Sequence, residues 1–376
     1  MHEEKTENLV IVIYSLAGGA GVVALNLAKA AKENYGNVEI HTRKIDARLL
    51  EEKCCSLISV REINSDRYLD FCGKSLGMIK LKNSKILVFG SPIYAVFKFL
   101  SFLKSPILVR RMIFLRETTA TRYVFGSMKP FKRFVLSFLF RAMAITTPLI
   151  IANSRGTKNS LCDFLFVKNK NIKVIYNPVY TCSQYKVLSS SNRDVELDVN
   201  RPIKVLSVGR LSWQKGFDIL IEAIYIARVT SSFDIFLDIY GDGKERAQLE
   251  YLIEKFELKG IVNLKGYEPN IHRVYQNYSV FVLSSRYEGF GNVLAEALSS
   301  GIRIVSIDCK SGPAEILENG KYGRLVNQHS AKILASHLVE EIISETSDVS
   351  MRRARGRVFC SEQIVPLYLR CLEDVY

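Results

Sequence analysis

Ser285-Arg-Tyr-Glu-Gly-Phe-Gly-Asn-Val-Leu-Ala-Glu-Ala-Leu-Ser-Ser300 is the stretch whose reading decides the fold. Two carboxylates, Glu288 and Glu296, stand eight residues apart, with Gly289, Phe290, Gly291 and Asn292 after the first. The run before it, YSVFVLS at 278–284, is short and apolar and suits a buried parallel strand. The run after it, 292–300, has helical composition and stops at Gly301, a C-cap residue. The predicted unit is therefore strand, glycine-rich turn, helix. A glycine-rich turn lets backbone approach a ligand closely. A helix N-terminus offers unpaired N–H groups and suits a phosphate. Carboxylates beside such a turn accept hydrogen bonds from hydroxyls, which sugars and riboses supply in pairs. Spacing alone leaves a plainer reading open, in which both are ordinary surface and helix glutamates.

Further signals flank this stretch on both sides. Gly209-Arg-Leu-Ser-Trp-Gln-Lys-Gly-Phe-Asp218 follows an apolar run at 203–208 and places Arg210 and Lys215 in one loop. Two cations there suit a diphosphate, Arg as a fork and Lys as a point charge. Tyr240-Gly-Asp-Gly243, Gly266-Tyr267 and Asp308-Cys-Lys-Ser-Gly-Pro-Ala-Glu315 come in that order. The run from Glu288 to Glu296 resembles the E-x7-E motif of the retaining, nucleotide-sugar-dependent glycosyltransferases of family 4, and the other motifs resemble that family's remaining signatures. The resemblance covers residues about 203 to 326. It implies the GT-B fold: two Rossmann-like α/β domains whose parallel sheets face across a cleft. It also implies roles. Arg210, Lys215 and the backbone of Gly289, Phe290, Gly291, Asn292 and Val293 would hold the donor diphosphate. Glu288 would bind the sugar hydroxyls, Glu296 the ribose hydroxyls, and Tyr267 would lie beside the base.

Composition sets the bounds. A chain of 376 residues, 48% of them hydrophobic, is long enough for two domains. No uncharged apolar run reaches the roughly 18 residues that a membrane span needs, and the polar start MHEEKTENLV does not read as a signal peptide. Eight scattered Cys without a C-x-x-C point to a reducing compartment and away from a structural zinc. The net charge of +14 is concentrated. Residues 71–162 hold sixteen Lys and Arg against one acid, Glu117. Such an excess predicts an anionic partner. IYAVFKFLSFL at 93–103 and FKRFVLSFLFRAM at 131–143 combine large apolar side chains with spaced cations. That pattern predicts helices lying on an anionic membrane through residues 74–141, with buried helices and snorkelling stems as the alternative. No nucleic-acid motif is present, so nucleic acid is not expected as a partner.

The N-terminus opens on LVIVIYS at 9–15, then Gly18, Gly19 and a helical run from Val22. Gly19-x-Gly21-x-x-Ala24 matches the dinucleotide fingerprint. Its acid, however, would have to be Glu39, which falls inside the second strand. In the resembled family the same unit opens the first domain, with the backbone at Gly18 and Gly19 facing the donor diphosphate or the acceptor. Many family members carry a His after the strand that here ends at Arg116-Glu117-Thr118; this chain has none there, so no His role carries over. Glu117 either pairs with Arg116 or Arg122 or touches the acceptor hydroxyl.

The expected organisation is an acceptor-binding, membrane-associating domain at 1–180 and a polar, Ser-rich linker at 181–201. A nucleotide-sugar domain at 202–352 follows, then a closing helical segment at 353–376 that, as the resemblance implies, packs back on the first domain. The expected activity is that of a retaining hexosyltransferase. It would move a hexosyl or N-acetylhexosaminyl group from a UDP-sugar, with GDP-mannose as the other donor, to a lipid-linked glycan in surface polysaccharide assembly. The expected location is the cytoplasmic face of the membrane. Glu288, Arg210, Lys215 and Glu117 are the expected catalytic residues, with no cofactor or metal, since no Asp-x-Asp pair occurs. An NAD(P)-dependent oxidoreductase using Gly19–Ala24 and a non-catalytic membrane scaffold are the competing readings.

Overall fold

Short apolar runs alternate with helical segments along the chain, and buried parallel strands joined by crossover helices are the physical outcome of that pattern. The computed structural model describes residues 7–16, 18–45, 58–79, 84–104, 113–117, 125–126, 128–166, 172–190, 201–344 and 348–374. The chain divides into two units, Met1–Thr181 with Ser361–Tyr376, and Cys182–Cys360.

Among the described residues the first unit holds seven parallel strands: β1 (Asn8–Leu16), β2 (Asn37–Ile45), β3 (Ser59–Glu62), β4 (Ser84–Phe89), β5 (Ile113–Glu117), β6 (Ile150–Ala152) and β7 (Ile172–Val174). Their order is β3-β2-β1-β4-β5-β6-β7. The helix Gly18–Ala31 packs on one face with the chain's last helix, Ser361–Glu373, so Ile364, Val365, Tyr368 and Leu372 share a core with Leu9, Ile11, Val23 and Leu27. On the other face Tyr94, Phe97, Phe125 and Phe140 pack against Val10, Val12, Ile86 and Val88. Ser154 caps the helix Arg155–Leu165 by accepting from the Thr157 N–H at 2.9 Å.

The second unit holds β8 (Ile203–Val208), β9 (Ile235–Tyr240), β10 (Val262–Gly266), β11 (Val280–Leu283), β12 (Arg303–Ile307) and β13 (Arg324–Val326), also parallel, in the order β10-β9-β8-β11-β12-β13. Each unit thus winds outward from its first strand and then reverses, between β1 and β4 in one and between β8 and β11 in the other. Ligand crevices in such sheets open at the carboxyl ends of the strands flanking this reversal.

Three expectations about organisation change. Residues 181–201 read as a polar linker, yet Cys182–Ser189 is a helix that belongs to the second unit. It packs there against the helix Asn292–Ser300, and that packing outweighs its weak intrinsic periodicity. Residues 353–376 read as one closing segment. They are instead the end of the helix Val349–Arg357, in the second unit, and the helix Ser361–Glu373, in the first. The stretch at 93–103 is not a surface helix. In Ser91–Lys104 every residue from Ser91 to Lys98 is buried, and Lys98 spends its charge on Thr147 Oγ1, 3.1 Å away, above the Tyr94 ring. No described helix is long and apolar enough to cross a membrane.

Candidate functional site

The reversal between β8 and β11 carries the site. After β8 the chain turns through Gly209 and Arg210 into a short 3-10 helix, Trp213–Lys215. Gly216 follows with φ +63°, and a Cβ there would overlap the Ser284 carbonyl oxygen. Only glycine lets the loop after β8 press this closely on the end of β11. Ser284 returns the contact, donating from Oγ to the Lys215 carbonyl at 2.9 Å. The stem of Lys215 crosses the bare face of Gly209, and its ammonium lies 2.5 Å from Glu288 Oε1. Ser285 Oγ donates to the same carboxylate oxygen at 2.7 Å.

The two loops are also laced together behind this pair. Arg286 forks onto both carboxylate oxygens of Asp218, at 2.8 and 2.5 Å, and lies over the Trp213 ring at 4.7 Å. Gln214 Nε2 donates to the Tyr287 carbonyl at 3.0 Å. A bidentate Arg–carboxylate contact fixes orientation as well as distance. Lys215 and Glu288 are therefore held by loops that cannot shift separately.

Beyond Glu288 the backbone passes Gly289 and the buried Phe290 to Gly291, which caps the helix Asn292–Ser300 in the left-handed conformation. The Phe290 ring packs edge-on against Phe359, with centroids 5.5 Å apart. Its side chain anchors the turn. Gly312, at φ +106°, backs the turn so closely that a Cβ would overlap the Phe290 carbonyl oxygen. This nine-residue helix starts directly at the turn, as its sequence predicts. One turn in, Glu296 Oε2 accepts from the hydroxyl of the fully buried Tyr275 at 2.8 Å.

Arg210 is exposed, and its guanidinium has no polar partner among the described residues. Tyr267 is exposed just past β10, where the Gly266 carbonyl accepts from the Gly241 N–H at 2.7 Å. Arg210, Lys215, Tyr267 and the run from Glu288 to Val293 thus all follow the carboxyl ends of β8, β10 and β11. Of the expected site residues, the structure joins Lys215 and Glu288 directly. Sequence reasoning gave no role to Ser285, Tyr275, Arg286 or Asp218. Ser285 and Arg286 sit inside the quoted motif and could have been weighed. Tyr275 carries no sequence signal.

Burial pushes the Cys309 thiol up, and the Glu288 carboxylate adds to the shift, so it stays protonated at neutral pH. Burial likewise raises Asp308, although the Ala314 N–H resists.

In the first unit Gly18, at φ +60°, and Gly19 open the helix after β1. Glu117 is fully buried at the end of β5 and accepts from Ser91 Oγ, at the start of the helix after β4. The expected pairing with Arg116 is absent, because successive strand residues face opposite sides. Arg116 turns the other way, to Tyr368 Oη at 3.1 Å, to Asn177, and over the Phe89 ring at 4.5 Å. Arg122 lies outside the described residues. Glu39 is tied to Arg61 at 2.8 Å and to His41 at 3.1 Å. It precedes the end of β2 by six residues, about 20 Å of strand, too far back to reach a ribose at the Gly18 turn. Glu39, the acid that the fingerprint would use, is therefore not placed for an NAD site.

The comparisons agree with this geometry. A model described as Glycosyltransferase Family 4 matches residues 17–181, and one described as Glycosyl transferases group 1 matches residues 190–357. The amylovoran biosynthesis glycosyltransferase AmsD of Erwinia amylovora is 32% identical over 176 residues, 47% of this chain and 48% of that one. The N-acetylgalactosamine-N,N'-diacetylbacillosaminyl-diphospho-undecaprenol 4-alpha-N-acetylgalactosaminyltransferase of Campylobacter jejuni is 30% identical over 196 residues, 52% of this chain and 51% of that one. The chain thus spans about half the length of either relative. The crystal structure of Anabaena HepE in complex with UDP-glucose superposes with a TM-score of 0.77 at 20% identity, over 98% of this chain and 99% of that one. Two family descriptions that follow each other along the sequence, and a solved fold that matches from end to end, fit one assignment: the chain belongs to the GT-B glycosyltransferases of family 4.

Proposed function

We propose that the protein is a retaining glycosyltransferase that moves a hexosyl or N-acetylhexosaminyl group from a UDP-sugar to a lipid-linked glycan in surface polysaccharide assembly. The observation that carries this reading is the Lys215–Glu288–Ser285 cluster at the carboxyl ends of β8 and β11, beside a helix N-terminus. The leaving group is a nucleoside diphosphate, so fixed positive groups that meet its growing charge lower the barrier. Lys215, Arg210 and the N–H groups following Gly291 supply them without a metal. Glu288 accepts from sugar hydroxyls, and Glu296, held by Tyr275, accepts from ribose hydroxyls. The acceptor oxygen attacks the anomeric carbon on the face that the diphosphate leaves. The bond to the diphosphate oxygen breaks, and the hydroxyl proton passes to that oxygen. Glu117, held by Ser91, is assigned to the acceptor side.

UDP is favoured because HepE was solved with UDP-glucose, and a lipid-linked acceptor because the Campylobacter relative is named for one. Peripheral attachment to the cytoplasmic face of the membrane follows from that acceptor. The test is a thermal-shift panel of UDP, GDP and ADP, followed by sugar transfer from the matching donors. At a hundred times its Kd a bound nucleotide adds about 2.7 kcal/mol, a rise of roughly 5–10 °C in a unit of this size. Lys215→Ala and Glu296→Ala are each expected to lower transfer at least about a hundredfold. No shift with any diphosphate, or near-normal turnover in both variants, refutes the assignment.

A further inference from the structure

The helix Pro130–Ile145 is apolar on both sides. Its inner face, Leu136, Phe140 and Ala144, is buried, with the Phe140 ring set 5.8 Å from Phe125 and 5.9 Å from Phe164. A helix with one face in the core presents polar residues on the other. This one does not. At roughly 100° per residue, Phe131, Phe134, Val135, Phe138, Ala142 and Ile145 fall within one outward arc. Phe131 is 82% exposed, Phe134 72%, Phe138 69% and Ile145 73%. Three aromatic rings standing in water on a single helix call for something to cover them.

The charges choose the cover. Lys129, Lys132 and Arg133 are all exposed around the first turn, and the helix contains no acid. Lys132 stays on the flank of the arc, 4.8 Å from the centre of the Tyr68 ring. Arg141 borders the opposite flank, over Phe164 and the exposed Phe166. Aromatic side chains in the middle and cations at the margins match the boundary between lipid tails and anionic headgroups. A second copy of the chain matches less well, since a two-fold axis would bring two cation-bearing, acid-free helices together.

We propose that the outer face of Pro130–Ile145 is the membrane-docking surface, lying in the plane of an anionic bilayer. Phe131, Phe134 and Phe138 insert among the acyl chains, and Lys129 and Lys132 contact lipid phosphates. This deepens the reading above and rests on it for the purpose of docking, which is to meet a lipid-linked acceptor. Of the two stretches that composition marked as membrane-facing, the fold leaves only this one outside the core.

The test is co-sedimentation of the full-length protein with phosphatidylcholine vesicles, with and without phosphatidylglycerol, at about 50 mM salt. The protein is expected to follow only the anionic vesicles. F131S/F134S/F138S should weaken partitioning at least about a hundredfold, and K129Q/K132Q by about fivefold per charge, with a weaker salt dependence. The thermal shift with UDP is read on the same samples. Retained in the serine variant, it shows an intact fold; absent from the wild type, it counts against the donor site and leaves the vesicle result standing. The proposal is overturned if wild type ignores anionic vesicles, or if both variants sediment as wild type does. A dimer that the serine variant converts to monomer also overturns it, by placing a second copy on this face.

Discussion

Lys215→Met keeps an unbranched stem over Gly209 and deletes the ammonium. Glu288 then retains Ser285 Oγ as a donor but loses its cation, on a side chain that is 9% exposed; the Lys215 side chain is 16% exposed. Removing one partner of a buried ion pair costs about 3–5 kcal/mol. Residual solvent contact at both side chains favours the lower end, about 3 kcal/mol. In a unit of this size each kcal/mol moves Tm by about 2–4 °C. The unit holding β8 to β13 should therefore melt roughly 6–12 °C lower. Adding Glu288→Gln removes the stranded charge, and K215M/E288Q should regain all but about 1 kcal/mol. Calorimetry on the wild type, both single variants and the double variant closes the cycle. Nucleotide binding should separate the variants in another way. E288Q keeps the ammonium but no longer anchors it, and should bind UDP more weakly than wild type yet more tightly than K215M, which should lose about tenfold or more. Equal melting of K215M and the double variant, or wild-type melting of K215M, would show that the two side chains do not share one desolvated contact, and the reasoning would fall.

Two further outcomes follow from contacts at other points in the fold. Tyr275→Phe removes the hydroxyl that holds Glu296 and leaves the ring's packing unchanged; initial-rate kinetics should show the donor KM raised about fivefold or more while kcat stays within about twofold. His41 is fully buried between Ser75, at 2.8 Å, and Glu39, and burial holds it below its ordinary 6.5 despite the pull of that carboxylate. The unfolded chain therefore takes up the proton first, so stability is complete above that value and is lost as pH falls through 6.5 toward the lower folded value. Urea midpoints compared at roughly pH 7.5 and 5.5 should fall in wild type and flatten in His41→Gln.

The run from Ser285 to Ser300 could be read from sequence because strand, positive-φ turn and helix are all local properties, and each leaves a residue signature. The two parallel sheets follow from the same alternation. Partner choice could not be read that way. Glu117 beside Arg116 in sequence looks like an ion pair, but a strand sends neighbours to opposite faces, and the carboxylate goes to Ser91 instead. The helices Ser91–Lys104 and Pro130–Ile145 have nearly the same composition, yet one buries Lys98 against Thr147 and the other exposes three phenylalanines. Composition states that a helix is apolar with cations. Which side of it meets the sheet depends on contacts that are distant along the chain. The same holds for Cys182–Ser189, whose residues have no periodicity strong enough to predict a helix without the neighbour it packs on.

A carboxylate set against the cation of the proposed diphosphate site looks at first like competition. The geometry gives it another use. An isolated Lys at the end of a loop samples many rotamers, and ordering it on binding costs about 2 kcal/mol. Here Glu288 holds the ammonium before any ligand arrives, and Gly209, Gly216 and the Arg286–Asp218 fork hold the loops that carry the pair. An ammonium has three donors. One can stay on Glu288 while another turns to a phosphate oxygen, so on the proposed function a diphosphate would meet a cation already in place and the carboxylate's second oxygen would be left for the sugar. On this argument Glu288 contributes twice, once by positioning Lys215 and once by accepting from the donor. Glu288→Gln should therefore separate the two roles, because an amide oxygen still accepts hydrogen bonds but lacks the charge that anchors the ammonium.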